Sequence, residues 1–170
     1  ERSGFGNLLA EGSARAAAEL GCGEQFLITS KKQEAPAHMP QVKKSLALIY
    51  AVNPFGADHM SSEHDPMVSE GVYDAFKDRF QAIGLNNPLP AESLDAAKVE
   101  FACKTQQTYS MMDSLALCHF VWGPSWQLYG FEHMVNMIQA VTGWDVTVAE
   151  LQQVGERRLN MMRAFNAREQ

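Results

Sequence analysis

TVAELQQVGERRLNMMRAF, residues 147–165, opens on a threonine and places a glutamate three positions later. In a helix starting after Thr147, the threonine side chain reaches the Glu150 backbone N–H and the glutamate reaches back. Two of the donors that every helix start leaves free are then satisfied. Leu151, Val154, Arg158, Met162 and Phe165 follow and continue one helical face. The stretch predicts a long final helix.

The same periodicity recurs upstream. Residues from about Phe131 to Val141 predict another helix, and a longer one runs from about Glu92, breaking near Asp113 where short polar residues interrupt the pattern. Asp65 before Pro66 reads as a helix start, with Val72, Tyr73, Phe76, Phe80 and Ile83 at helical spacing and Gly84 closing it. Pro40 opens a helix carrying Val42, Leu46, Ile49 and Tyr50, which Asn53 and Pro54 stop. Asn7 to Leu20 is an alanine-rich helix, and Gly21 falls where a left-handed cap belongs. Thr29 to Ala37 is a polar loop and residues 86–90 are a linker. Glu24 to Ile28 is a brief strand candidate, too short and isolated to found a sheet. The predicted fold is therefore all-α, an irregular bundle of about six to eight helices.

Composition limits the function. The chain of 170 residues is 46% hydrophobic, enough to bury one sizeable core. Fourteen basic residues against 20 acidic ones give a net charge of −6, with no basic stripe interleaved with aromatics, so a nucleic-acid partner is not expected. No run approaches the roughly 18 apolar residues of a membrane span and no basic-then-apolar leader opens the chain, which predicts a soluble, cytoplasmic protein. Cys22, Cys103 and Cys118 are too few and too far apart for a disulfide framework. The chain begins with Glu1 rather than Met, which reads as a piece of something longer.

Spacing alone locates little chemistry. The sequence has no Cys-x-x-Cys pair, no glycine-rich phosphate loop after a strand, and no histidine pair at metal-ligand spacing on one helix. Asp58, His59, His64 and Asp65 are residue types that suit divalent ions, though neighbouring polar residues at a helix stop ordinarily make a solvated loop. Cys118 ends an apolar run, where a free cysteine is ordinarily a small buried hydrophobe. Met111, Met112, Met134, Met137, Met161 and Met162 fill gaps between helices.

Four segments in order carry a resemblance. They are GFGNLLAEG at 4–12, ALIYAVNPFGADH at 47–59, DSLALC at 113–118, and TGWD at 142–145 followed by GERR at 155–158 and RAFNARE at 163–169. Together they resemble the C-terminal helical part of the aldehyde:ferredoxin oxidoreductases, tungstopterin and iron–sulfur enzymes, along essentially the whole chain. The resemblance implies that residues 1–60 correspond to the end of the family's middle domain and 61–170 to part of its C-terminal domain, with the N-terminal tungstopterin-binding domain absent.

The family resemblance implies roles residue by residue. Asp113 and Leu117 contact a tungstopterin (or molybdopterin). Cys118 is the metal ligand, the fourth thiolate of a 4Fe-4S cluster whose other three cysteines lie upstream, so neither group is expected on this chain alone and the chain alone is expected to be inactive. His59 is the catalytic histidine, handling a proton while an aldehyde is oxidised to a carboxylic acid and electrons pass through the cluster to ferredoxin. Three departures stand out: Ala116 replaces the glycine of the DSLALC motif, Met39-Pro40-Gln41 replaces an Asp-Pro-Arg turn, and Ser61 stands where a basic residue often follows the histidine. They leave the substrate open between a simple aldehyde, an acid and an aromatic acyl thioester. Further expected partners are the missing N-terminal domain and a second copy in a possible homodimer, since a face left bare is partly apolar. The reading from another class is a helical scaffold that kept the core and lost the chemistry.

Overall fold

The computed structural model of the protein describes residues 2–31 and 33–169. Among them lie seven helices: α1 (Gly4–Ala10), α2 (Ser13–Leu20), α3 (Lys44–Val52), α4 (Tyr73–Ala82), α5 (Ala96–Ser114), α6 (Phe131–Thr142) and α7 (Val148–Arg168). The capping box of Thr147 and Glu150 forms as its spacing predicts. The sheet content described is one antiparallel hairpin of two-residue strands, β1 (Thr29–Ser30) and β2 (Gln33–Glu34). The fold is all-α in the predicted sense.

Several boundaries move, each for a local reason. The predicted helix over Asn7–Leu20 is two helices, because Gly12 takes a φ of +93°, a conformation a helix cannot contain. Gly21 ends α2 in the left-handed region as expected. The strand candidate at Glu24 is a 3₁₀ turn over Glu24–Phe26, and the small hairpin lies instead in the polar stretch read as a loop. Asp65 and Pro66 start only a 3₁₀ turn over Asp65–Val68, and Gly71, with φ +84°, separates it from α4. The helix expected from Pro40 begins at Lys44, and that expected from Glu92 begins after Asp95, whose side chain accepts the Lys98 N–H at 2.9 Å.

α5 runs through the middle of the core. Phe101, Tyr109, Met111 and Met112 pack with Tyr73 and Phe80 of α4, Phe131 and Met134 of α6, and Leu151 of α7. Phe101, wholly buried, stabilises by about 1.5–3 kcal/mol. A smaller cluster of Leu46, Tyr50 and Ala57 forms under α3. Met111, Met112 and Met134 fill the core as expected, whereas Met161 is exposed.

Two contacts fix the arrangement. At the crossing of α5 and α7 a Cβ built on Gly155 would lie 1.9 Å from the Gln107 carbonyl oxygen, so the backbones meet with no room for a side chain. The Ser110 hydroxyl donates to the Gly155 carbonyl at 2.9 Å. On the other side of α5, Asp65 and Lys98 form an ion pair at 2.7 Å with both side chains fully buried. The Asp65 carboxylate also accepts the N–H groups of Ser45 and Leu46 and the Ser45 hydroxyl, capping α3 from 20 residues away. The Lys98 ammonium donates further to the Pro90 carbonyl at 2.8 Å. The Asp65 carboxylate accepts four hydrogen bonds and the Lys98 ammonium donates two, which offset the loss of hydration of both charges.

Candidate active site

His59 lies in the loop after α3. Asn53 ends that helix, and its side-chain amide donates to the Gly56 carbonyl and the Ser61 hydroxyl. Asp58 then accepts from the Met60 N–H at 2.9 Å and the Ser61 hydroxyl at 2.7 Å. Ser61, which stands where a basic residue was expected, thus ties Asn53 to Asp58 and fixes the turn that presents His59. Gly56, at φ +132°, lies against the hairpin, where a Cβ would meet the Ser30 carbonyl.

The turn brings three imidazoles together. His38 stacks on His59 with ring centroids 4.2 Å apart, and His64 stands edge-on to His38 at 5.3 Å. His64 Nε2 hydrogen-bonds the His59 carbonyl oxygen at 2.8 Å. Burial holds both His38 and His64 below the ordinary histidine value, with the neighbouring imidazoles adding to the effect. The expected solvated loop is instead the wall of a cavity of about 350 Å³, bounded also by Lys43, Ser62, Glu63, Met67, Tyr109, His119, Phe120 and Trp126. Three buried polar atoms on its lining residues lack a hydrogen-bond partner among the described residues: His59 Nδ1, Ser62 Oγ and His119 Nε2. Unpaired buried polar atoms gathered on one cavity mark a place where a polar ligand would be held.

The residues of the DSLALC segment form the turn that ends α5. Leu117 N–H bonds the Met112 carbonyl and Ala116 N–H the Asp113 carbonyl, the paired pattern of a left-handed helix cap. Ala116 occupies the left-handed position with φ +54°. Glycine would be unstrained there, whereas the Ala116 Cβ makes the position one of backbone strain. Past the cap, Leu117 is half-buried against the core and Cys118 is exposed, not buried as its apolar run suggested.

Asp113 links this turn to the cavity. Its Oδ2 pairs with Arg158 of α7 at 3.0 Å, and its Oδ1 lies 3.0 Å from His119 Nε2. That second contact is out of line for a hydrogen bond, so the buried His119 nitrogen has no hydrogen-bond partner among the described residues. Asp113 also lines a second recess, of about 200 Å³, with Asn53, Asp58 and Arg158. The Asp113 side chain is 40% exposed, leaving lone pairs open to an incoming donor.

The family model described as aldehyde ferredoxin oxidoreductase, domains 2 and 3, matches residues 1–170. This chain belongs to the aldehyde ferredoxin oxidoreductase family. Similar curated relatives are tungsten-containing aldehyde ferredoxin oxidoreductases: that of Pyrococcus furiosus is 30% identical over 166 residues, and that of Pyrococcus horikoshii 29% over 166. The protein of the same description from Thermococcus kodakarensis is 29% identical over 165 residues. The matches with the two Pyrococcus proteins cover 98% of this chain and 24% of the relative, so the chain spans about a quarter of their length. No solved structure matches it significantly.

The donors can be tested against the family's metals. Among the described residues no three His, Cys, Asp or Glu side chains converge on a metal position. Cys118, free and exposed, fits one thiolate of a four-thiolate cluster, and Cys22 and Cys103, also free and exposed, do not join it. Among the described residues no helix is long and apolar enough to cross a membrane. Of the cavity, sequence reasoning named His59 and, as part of a cation cluster, His64. It missed His38, Glu63, Tyr109 and His119, which converge from four segments without a shared motif.

Proposed function

We propose that this chain supplies the helical side of the active site of a tungsten (or molybdenum) pterin oxidoreductase that oxidises aldehydes to carboxylic acids and passes the electrons through a 4Fe-4S cluster to ferredoxin. The observation that carries the reading is the end of α5. One turn holds Asp113, Leu117 and Cys118, and the next residue, His119, stands on the wall of the His59 cavity. In this reading residues 1–60 end the middle domain and 61–170 belong to the C-terminal domain, with the pterin-binding domain elsewhere in a cytoplasmic polypeptide.

Asp113 would accept hydrogen bonds from the pterin, oriented by Arg158, and Leu117 would pack against it. Cys118 would supply one cluster thiolate, the other three coming from outside this chain. The bound metal and pterin supply two-electron redox chemistry and the cluster one-electron transfer. His59, with Nδ1 unpaired, would receive or orient a proton of the aldehyde hydrate, and the low proton affinity that burial gives His38 and His64 keeps positive charge off the neighbouring rings.

The test is metal and sulfide analysis of the anaerobically purified parent polypeptide, which carries the pterin-binding domain as well as this chain. Tungsten or molybdenum with about four irons per chain, the iron and sulfide being lost in Cys118→Ser, supports the assignment. A metal-free wild type overturns it and leaves the scaffold reading.

A further inference from the structure

Glu63 and Asp65 are two residues apart and equally buried, with 1% and 0% of their surfaces exposed. Their surroundings differ in kind. Asp65 has the Lys98 ammonium at 2.7 Å and faces the interior. Glu63 makes no ion pair among the described residues and lines the cavity shared with His59 and Ser62. Its partners are neutral: Ser125 Oγ donates to Oε2 at 2.5 Å, the Tyr109 hydroxyl to Oε2 at 3.4 Å, and the His64 N–H to Oε1 at 3.0 Å. A buried carboxylate without a cation is costly, whereas its neutral form is not.

The loop that brings Ser125 is purpose-held. Arg79 of α4 donates to the carbonyls of Ser125 at 2.8 Å and Gln127 at 2.7 Å, and the Gln127 side chain accepts the Ser125 N–H at 3.0 Å. The geometry points to Glu63 as the proton-exchanging carboxyl of the His59 cavity, with Ser125 as its positioning residue. The inference rests on the proposed proton-handling role of His59. A proton taken by His59 from an O–H of the hydrate crosses the cavity that both residues line, through the O–H groups of its occupant, to the Glu63 carboxylate, which becomes neutral and later releases it; no bond between heavy atoms changes in this transfer. Burial raises the Glu63 carboxyl above the usual range, and the Ser125 hydrogen bond opposes that rise. The titratable groups around it are His64 beside it, Tyr109 on α5, His119 against Tyr109, and His38, His59 and Lys43 across the cavity.

The experiment is infrared titration of the parent polypeptide as purified, with no added ligand. The expected result is a protonated-carboxyl band that shifts in D₂O, disappears as pH rises without unfolding, and is absent in Glu63→Gln. Ser125→Ala should move its midpoint to higher pH, and that shift alone identifies the band if Glu63→Gln does not fold. The pH profile of kcat for butanal should move the same way in Ser125→Ala, with KM unchanged. An absent band, or one that neither exchanges nor titrates in the folded protein, overturns the inference. A metal-free polypeptide with the titrating band would defeat the oxidoreductase reading but not the carboxyl assignment; a tungsten enzyme without the band would do the reverse.

Discussion

Ala116 holds a left-handed backbone for which glycine is the unstrained residue. Ala116→Gly should stabilise the protein by about 0.5–1 kcal/mol, the relief of strain exceeding the added freedom of the unfolded chain. Urea unfolding measures it, and a loss of stability would contradict the strain assignment. His64 gives a pH-dependent counterpart. Because burial holds it below the ordinary 6.5, its neutral form is favoured in the folded state. The associated stability is complete above pH 6.5 and is lost as pH falls through the lowered folded value. His64→Gln should flatten the stability profile on the acid side of 6.5; an unchanged slope would show that His64 does not carry it.

At the scale of elements, local signals fixed what was legible. The capping box of α7 and Gly21 after α2 act within one turn, and such short-range chemistry is visible in sequence. Gly12 was legible as a residue but not as a break, since glycine also sits inside helices. The start of α3 was misjudged because its cap comes from Asp65, 20 residues away. The candidate site follows the same division. Asp113, Leu117 and Cys118 lie in one local turn and were named together through the family resemblance, whereas Glu63, Ser125 and Tyr109 meet only after folding. The tightest element contact gives a clear outcome: Gly155→Ala should cost about 3 kcal/mol or more, because its methyl group would overlap the Gln107 carbonyl of α5. Thermal unfolding close to wild type would mean that the helices separate more easily than their packing implies.

Across the whole molecule, the Asp65–Lys98 pair joins the start of α3, the turn before α4, the 90s loop and the first turn of α5. Lys98→Met keeps the apolar stem and strands the carboxylate. Stability should fall by about 3–5 kcal/mol in denaturant titration. A fall below 1 kcal/mol would mean that water reaches Asp65. The pair also anchors the segment that carries Glu63 and His64, so damage there should spread to the cavity.

The α5–α7 crossing has an unequal consequence for sequence drift. On one side it depends on the absence of a side chain at 155, and on the other on a carbonyl at 107 that every amino acid carries. Among working variants, position 107 can therefore change freely where the surface allows, while 155 stays frozen. The closest approach is therefore inherited through one codon, while the Ser110–Gly155 and Asp113–Arg158 contacts beside it depend on their own side chains.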